Sequence, residues 1–365
     1  MITSLRIFNT NLQPVTVFFS FISCIWTTQY FAPGEFELVV EYSPENLAAL
    51  KIGYYVVKNN TNQIAVIEKV RYEYTPDEGG KIIASGRMAI SLLDRRLMYT
   101  FNSSTYRPNI FTYCSQNGNM EIAARHSVEW QAIDPTFGGA GRIISPLQLG
   151  TLHGYTEKAT RRISTYQNLY TALTSFLATK NMAHRITYNA DNSTLEYEVF
   201  KGADKSQQLV FSRYLENLLS FAYETDKTDY KNLVYIGGTG DGLDRFVTAA
   251  TVNTYQAGTE RREVFYSASS DLEEGTTNAA YAALIQAEAK QECREFSQKT
   301  TVEAEIDLVN SGLEFGVDYN VGDIILIKDI VDFKPRITTV IESQSADGYT
   351  VDVEFNEDAP EEESE

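Results

Sequence analysis

The stretch Val15–Trp26 (VTVFFSFISCIW) decides how the N-terminal part of the chain folds. Its apolar side chains alternate with polar ones such as Thr16 and Ser20, and a two-residue period is that of a β-strand. The run is too short to span a bilayer, and the residues that follow it, Thr27 to Tyr30, offer no small-x-small cleavage site. We therefore predict β-structure here, and neither a signal peptide nor a membrane anchor.

The rest of residues 1–100 shows the same preference for strands joined by turns. The Asn59–Asn60 pair and the stretch Pro76–Gly80 are strong turn signals. Further β-branched and aromatic runs farther along the chain favour strands as well. The predicted strands are 36–40, 54–58, 63–74, 81–86, 110–114, 120–130, 183–189, 195–201, 230–236, 246–254, 262–268, 326–330, 336–342 and 351–355.

Helices are predicted at a few places between these strands. The clearest is 157–181, whose apolar residues recur three and four positions apart and form one stripe for core or protomer contact. That stripe consists of Ile163, Tyr166, Tyr170, Leu173 and Leu177. The others are Pro44–Leu50 with Ser43 as N-cap, Met88–Met98 with Leu92, Leu93 and Leu97 on one face, and 276–299 with Thr276 or Thr277 at its cap. Leu209–Phe221 is predicted as a short helix or as a helix followed by a strand.

These elements together predict an α+β, mainly β protein, with two tube-like β-barrel or sandwich domains and a mixed helical-β middle region. The expected N-terminal domain is 1–150, and the middle region is 151–300. Strands in 301–356 are expected to complete the second tube-like domain. The tail 357–365 is rich in Asp and Glu, a composition typical of a solvated, disordered segment.

Charge and composition exclude several classes of partner. Hydrophobic residues make up 43% of the 365-residue chain, which fits a folded protein with sizeable cores. The formal charge is −18. The affinity of a protein for nucleic acid rests on Lys and Arg at the phosphates, and anchoring at an anionic membrane needs cations too. We expect neither sequence-specific binding to nucleic acid nor direct membrane anchoring.

The cysteines and histidines form no recognisable site. Cys24, Cys114 and Cys293 are widely spaced and contain no C-x-x-C, so we expect reduced thiols in a protein made in the cytoplasm. A zinc site needs clustered Cys and His, and the three histidines (His126, His153 and His184) do not cluster with the cysteines in sequence. We predict no metal.

One segment, Gly237–Gly242, needs a test as a phosphate-binding loop. A P-loop requires a lysine that this segment lacks, and a dinucleotide site requires a following helix, whereas Leu243–Thr254 is predicted as a strand. We interpret the glycines as a tight strand-to-strand turn. Without G-x-S-x-G or H-E-x-x-H motifs, the sequence predicts no enzyme and no cofactor.

Four blocks of sequence, in this order, carry a resemblance over nearly the whole chain. The first is Trp26–Leu38 (WTTQYFAPGEFEL), and the second combines IEKV at 67–70, SGR at 85–87 and LLDRR at 92–96. The third runs from Tyr235 through Asp244-Arg245 to Gly258 and Arg261-Arg262-Glu263, and the fourth from Val321 to Phe355. They resemble a siphophage tail-hub family that is related in fold to the trimeric baseplate hub of contractile tails. Residues 101–155 match this family little.

The resemblance implies a structural virion component at the distal end of a phage or phage-like tail. Three copies would surround the channel, and each would contribute two tube-like domains, so that six similar domains meet the hexameric tail tube. Tail tip or receptor-binding proteins would lie on the other side. An acidic lumen would suit DNA ejection, because like charges do not bind.

The same resemblance marks candidate residues at the interfaces. Possible inter-subunit or hub-to-tube ion pairs, with bridges inside one domain as the alternative, involve Asp94, Arg95, Arg96, Arg245, Arg261, Arg262 and Glu263. Expected turn or bulge positions are Gly34, Gly86, Gly237, Gly238 and Gly322.

Two other functions stay open at this point. A receptor- or carbohydrate-binding tail module is weakly favoured by the 23 tyrosines, since aromatic faces stack on sugars, although these residues are spread along the chain. A hub fused to a cell-wall-cleaving domain is not expected, because the sequence ends about ten residues after the last predicted strand.

Overall fold

The structure is a computed structural model of the protein. It describes residues 1–59, 61–77, 79–98, 101–102, 105–108, 111–113, 119–135, 139–158, 161–163, 167–254, 257–272, 275–308 and 311–355. Strands account for 41% of the chain and helices for 21%, which confirms the predicted mainly β class. The chain divides into a first unit, Met1–Ser220 with Ala304–Asn356, and a second unit of residues 221–303. Cys114 and the expected acidic tail 357–365 lie outside the described residues.

The strands are short and numerous. In chain order they are β1 (Leu5–Phe8), β2 (Pro14–Phe18), β3 (Ser23–Gln29), β4 (Glu35–Glu41), β5 (Tyr55–Lys58), β6 (Ile64–Val66), β7 (Lys69–Thr75), β8 (Gly79–Arg87), β9 (Phe101–Asn102), β10 (Thr105–Pro108), β11 (Phe111–Tyr113), β12 (Leu147–Leu149), β13 (Arg161–Ile163), β14 (Ala183–Asn189), β15 (Thr194–Phe200), β16 (Val210–Ser212), β17 (Leu218–Asp226), β18 (Leu233–Gly237), β19 (Val247–Thr251), β20 (Glu263–Ser267), β21 (Lys299–Ile306), β22 (Leu326–Lys328), β23 (Asp332–Phe333), β24 (Ile337–Ser345) and β25 (Gly348–Phe355).

Helices lie between these strands. The α-helices are α1 (Pro44–Ala49), α2 (Met120–Val128), α3 (Leu169–Ala178) and α4 (Asn278–Glu292), and a π-turn spans Glu129–Ile133. Short 3₁₀ helices span Ala89–Arg95, Ala140–Arg142, Arg213–Leu215, Gly242–Asp244, Gly258–Glu260 and Cys293–Phe296. None of the helices within the described ranges is long and apolar enough to cross a membrane.

The largest sheet of the first unit has six antiparallel strands in the order β25-β24-β3-β4-β8-β7. One face of it packs on a second sheet, β2-β1-β5-β6, and the shared core includes Trp26, Leu38 and Ile82 from the first sheet and Ile7 and Val56 from the second. The two sheets therefore form a sandwich, and among the described strands neither sheet closes into a barrel.

The strands β1, β5 and β6 of the four-stranded sheet are buried on both faces, whereas β2 is largely exposed. The far face of the sheet, with Phe8, Tyr55 and Val57, packs against a third layer made of α2, α3 and the sheet β12-β15-β14. All four residues of β5 (YVVK) are buried, and its continuous apolar run Tyr55–Val57 is typical of a strand covered on both sides. The first unit is thus three layers deep.

The second unit is smaller. Its sheet has the order β19-β18-β20, with β19 antiparallel and β20 parallel to β18. Helix α4 covers one face through Tyr281, Ile285 and Ala289. The glycines of Gly237–Gly242 lie at the end of β18 and in its connection to the antiparallel strand β19, as predicted, but the connection includes the 3₁₀ helix Gly242–Asp244 and is longer than the predicted tight turn.

The sequence does not indicate which strands the last two strands pair with. Residues 301–356 are expected to complete a second tube-like domain, but β24 pairs with β3, so that β24 and β25 extend the N-terminal sheet. Alternation predicts that a segment is a strand, but it says nothing about which strand lies beside it. Here the partners are about 300 residues apart in sequence, and only tertiary packing selects them.

Several predicted elements are corrected by the structure, and Leu209–Phe221, predicted to begin as a helix, instead contains strand β16, the 3₁₀ helix Arg213–Leu215 and the start of strand β17. The helix predicted at 157–181 is only Leu169–Ala178, since Arg161–Ile163 is a strand and Asn168 caps the helix start. The stretch 120–130, predicted as a strand, is helix α2, because the Asn119 side chain accepts a hydrogen bond from the Ile122 amide and provides an N-cap. Tyr166 of the predicted stripe lies outside the described residues.

The predicted helix Met88–Met98 is likewise shorter. It is a 3₁₀ segment, Ala89–Arg95, that ends before Leu97, whose side chain is exposed. Leu92 and Leu93 are buried as expected. At Pro44–Ala49 the predicted cap is confirmed, since the Ser43 hydroxyl accepts from the Asn46 amide.

Candidate interaction surfaces

The open face of the six-stranded sheet is the face that points away from the sandwich core. Strand registers place ten charged side chains on it, six acidic and four basic. They are Glu35, Glu37, Glu41, Glu73, Asp352 and Glu354, and Lys69, Arg71, Lys81 and Arg87. The basic residues all belong to β7 and β8, and the carboxylates lie mostly on β4 and β25. The face therefore has a net negative charge, and its cations are confined to the β8-β7 edge.

A network of charges, which we call the Glu68 cluster, lies at the end of β8 (Glu68, Arg87, Asp94 and Arg95). Arg87 donates to both oxygens of Glu68, at 2.8 and 3.0 Å, and also to Asp94 at 3.2 Å. Arg95 donates to Glu68 at 3.2 Å. The hydrogen bonds from Arg87 hold the pKa of the Glu68 carboxyl below its ordinary value, and those to Glu68 raise the pKa of Arg87. Two of the predicted interface residues, Asp94 and Arg95, therefore have partners within their own chain.

Replacing Glu68 by glutamine should lower the free energy of unfolding at pH 7 by about 0.5–1 kcal/mol, because the bidentate pair is only partly buried. The folded-state pKa is lower than the unfolded one, so this contribution is present above the ordinary value of 4.5 and is lost as the pH falls through the folded pKa. Urea unfolding between pH 3 and 7 measures it. Glu37→Gln, at an exposed position on β4, is the matched control and should change little. A deficit of Glu68→Gln that persists at pH 3 would contradict the ion-pair explanation.

Arg96 has a different environment from its two neighbours. Its guanidinium donates to the Arg142 carbonyl at 2.7 Å and to the Arg95 carbonyl at 3.0 Å. Burial lowers its pKa. These hydrogen bonds hold the loop before β12 against the end of the 3₁₀ helix Ala89–Arg95, so Arg96 stabilises the first unit.

The remaining predicted charges lie in the second unit, around the sheet face that α4 does not cover. On this aromatic face, Phe265 is 56% exposed and Val247 is 55% exposed, and Tyr235 lies in register with Phe265. The Arg245 guanidinium lies 5.4 Å from the Phe265 ring centroid and donates to the Gly238 carbonyl at 3.1 Å. Arg261 donates to the Tyr235 hydroxyl at 2.9 Å. Exposed aromatic rings framed by arginine are typical of a contact surface.

The other two predicted residues of this unit also have partners inside it. Glu263 pairs with Arg261. Arg262 donates to the Lys227 carbonyl, and its own amide donates to the Asn232 side chain at 2.8 Å. Each of the seven predicted charged residues thus makes contacts within its own unit.

The predicted glycines are positions of close approach. A Cβ at Gly86 would lie 1.9 Å from the Val66 carbonyl oxygen, and one at Gly34 would lie 2.0 Å from that of Thr27. Gly237 and Gly238 face the side chains of Arg245 and Tyr281. Of the five, only Gly322 has a positive φ, +93°. Bulky residues are excluded mainly by neighbouring atoms and only at Gly322 by the backbone as well.

A buried ion pair joins the two sheets of the sandwich and was missed by sequence reasoning. Lys58 of β5 pairs with Glu342 of β24, and each residue is only 4% exposed. The Tyr349 hydroxyl donates to Glu342 at 2.9 Å, and the Lys58 ammonium lies 5.8 Å from the Trp26 ring centroid. Burial lowers the pKa of Lys58. The only sequence signal is a charge at the end of each of two apolar runs.

Other polar groups in the first unit serve packing. Burial lowers the pKa of His184 to about 3, so that its ring stays neutral while it contacts the Thr174 and Tyr197 hydroxyls at 2.9 and 3.2 Å. Burial raises the pKa of the Cys24 thiol to about 12, and Cys24 and Cys293 are free and buried. In the part of the chain that the structure describes, no three His, Cys, Asp or Glu residues are placed to hold a metal.

The known proteins most informative about this chain come from phage tails. A family model described as Siphovirus ReqiPepy6 Gp37-like protein matches residues 4–355. No curated protein matches the sequence.

Solved structures share the fold over almost the full length of both chains. The 43 kDa tail protein of prophage MuSo2 from Shewanella oneidensis is 11% identical with a TM-score of 0.56, covering 97% of this chain and 98% of that one. A tail protein from Neisseria meningitidis MC58 is 14% identical with a TM-score of 0.54 and coverages of 97% and 96%. Prophage tail protein gp18 from Listeria monocytogenes EGD-e is 13% identical with a TM-score of 0.50 and coverages of 98% and 95%.

Proposed function

The chain belongs to the siphovirus ReqiPepy6 Gp37-like family and has the fold of phage tail proteins, and we propose that it is the trimeric hub at the distal end of a tail. The observation that carries the proposal is the extent of the match. The family model spans residues 4–355, and tail proteins from three bacteria share the fold over at least 97% of this chain. A match over residues 4–355 supports a role that involves the whole of the described fold.

In this proposal three copies form a ring around the channel. Each copy contributes the β-structure of its first unit to the end of the ring that meets the hexameric tail tube. The ring joins the tube to the tip or receptor-binding proteins, and symmetric assembly of this kind is the usual state of oligomers. The chain works as a scaffold without catalysis or cofactor.

The open face of the six-stranded sheet is the surface that suits the channel wall. Its core face is covered by the second sheet, so only the open face is available to line a lumen. Six carboxylates against four cations give this face a net negative charge. Like charge keeps DNA from binding to the wall during ejection.

Electron microscopy of labelled particles tests the position of the protein. Gold-conjugated antibodies against this chain should mark one place on each tail, the end away from the capsid. Pre-immune antibodies serve as the control. Label along the whole tube, at the joint with the capsid, or absent from intact particles would contradict the hub.

A receptor- or carbohydrate-binding module is the second candidate. The exposed aromatic face of the second unit, with Tyr235 and Phe265, favours it, because aromatic rings stack on sugars. A glycan array separates the two functions. Binding that is lost in Phe265→Ala but kept in Leu272→Ala, an exposed apolar control in the same unit, would favour the module. No binding would favour the hub.

A further inference from the structure

The six-stranded sheet ends in two edge strands, β7 and β25, and no described strand pairs with their outer sides. Within the described residues, β7 pairs only with β8, and β25 pairs only with β24. Each edge presents a row of backbone N–H and C=O groups that can pair with another strand. Both strands are long for this protein, and neither contains proline.

The directions of the two edges allow one copy to continue the sheet of the next. All neighbouring strands of the sheet are antiparallel, and the number of strands is even, so β7 and β25 run in opposite directions. A rotation about an axis parallel to the strands preserves these directions and also preserves which face points inward. It therefore places β25 of one copy antiparallel to β7 of the next, with open face beside open face.

Full overlap of the two strands selects one register that matches charges on the open face. Aligning Gly348 with Thr75 of the neighbouring copy places Asp352 opposite Arg71 and Glu354 opposite Lys69. These four side chains are exposed. Opposite charges directly across an antiparallel pair stabilise it, and like charges destabilise it.

The side chains around this contact give the β7 edge and the β25 edge net charges of opposite sign. On β7, Glu73 pairs with Arg71 at 2.6 Å and with Lys81 of β8 at 3.6 Å, which leaves the strand and its neighbour basic overall. On β25 the charged residues are Asp352 and Glu354, and on β24 the open face carries no charged side chain. The β25 edge is therefore acidic where the β7 edge is basic.

The same register matches apolar side chains on the core face. It places Val353 opposite Val70, Val351 opposite Tyr72 and Tyr349 opposite Tyr74. Tyr72 is 51% exposed and Tyr74 is 65% exposed in the single chain, so this pairing would cover both rings. Aromatic and β-branched cross-strand pairs are among the favourable ones.

We propose that β25 of one copy pairs with β7 of the next in this register, and that this head-to-tail contact closes the ring. The partner is a second copy of this chain, because the basic β7 edge matches the acidic β25 edge and the apolar side chains of the two edges lie opposite each other. A head-to-tail contact closes into a ring when the rotation between copies permits it. The inference rests on the proposed trimer and names the strands that build it.

Cysteine cross-linking tests the register. In the variant Arg71→Cys with Asp352→Cys, the new thiols of adjacent copies lie directly opposite, within the separation that a disulfide spans. Oxidation should give covalent dimers and trimers on a non-reducing gel. The matched control, Glu73→Cys with Asp352→Cys, is displaced by two residues and should stay uncross-linked, as should the wild-type chain.

Charge reversal tests the energetics. Lys69→Glu with Arg71→Glu, or Asp352→Lys with Glu354→Lys, should each raise the dissociation constant of the ring about tenfold or more. All four changes in one chain should restore assembly, and Glu37→Lys on the central strand β4 should leave it unchanged. A wild-type trimer that neither cross-links at 71 and 352 nor responds to reversal would overturn this contact and leave the hub standing. A wild-type chain that stays monomeric, both alone and with the tail tube protein added, would overturn both.

Discussion

Replacing Glu342 by glutamine should lower the free energy of unfolding by about 3–5 kcal/mol. The change leaves the Lys58 ammonium in the sandwich core without its counter-charge, with aromatic rings of Trp26 and Phe315 as its nearest compensation. Solvation by water is not available there, because both members of the pair are almost fully buried. Equilibrium urea unfolding measures the effect.

The pH dependence of the same variant follows from the direction of the pKa shift. Burial lowers the pKa of Lys58 below its ordinary value of 10.5, and removal of Glu342 takes away the group that raises it. Between the folded and the unfolded pKa the unfolded chain binds more protons, so stability rises with pH. The deficit of Glu342→Gln should therefore shrink as the pH is raised from 7 toward 10.

The matched control removes both charges. The double variant Lys58→Met with Glu342→Met fills a similar volume without an ionic group. Its free energy of unfolding should lie within about 1–2 kcal/mol of that of the wild type. A double variant as unstable as Glu342→Gln would show that side-chain shape, and not the unpaired charge, causes the loss.

Replacing Gly322 by alanine should lower the free energy of unfolding by about 3–5 kcal/mol, because it adds backbone strain to a steric clash. Gly322 has a φ of +93°, and a Cβ there would lie 2.3 Å from the Tyr30 ring. That ring is held in place, since its hydroxyl donates to the Asn181 carbonyl at 2.7 Å and accepts from the Gly202 amide at 3.2 Å. It cannot move away without breaking contacts to two other segments.

Gly312→Ala separates the two contributions. Gly312 has a φ of +71°, and no described atom lies within 4 Å of the place that a Cβ would occupy, so only the strain, about 1 kcal/mol, should appear. Urea unfolding of both variants gives the comparison. Equal losses would mean that the Tyr30 ring yields easily and that the packing around it is looser than the structure indicates.

Local features of the fold were largely predictable from the sequence. The strands Ala183–Asn189 and Glu35–Glu41, the Ser43 cap and the strand-to-strand connection at Gly237–Gly242 each depend on neighbours a few residues away. Alternation, capping residues and glycines report directly on such neighbours.

The errors arose where distant contacts override local pattern. The apolar stripe at 157–181 has helical spacing throughout, yet Arg161–Ile163 pairs as a strand with β11. The last strands join β3 across the whole length of the chain, and this pairing has no local signal. The sequence likewise showed no sign that Lys58 and Glu342 meet.

The candidate surfaces were predicted only in part. The charged residues of the second and third resemblance blocks do form networks, but Glu68 and Arg87, which lie in the second block, are the centre of one of them and were not singled out. A charge beside an apolar run is visible in sequence, whereas its partner is fixed by strand register. The edge pairing of β7 with β25 could be inferred only after the register of all six strands was known.

The mass of the purified chain in solution is the most direct test of the central claim. Native mass spectrometry or light scattering over a wide concentration range should give three times the mass of one chain. A clean monomer over that entire range, both alone and with the tail tube protein added, would contradict the hub.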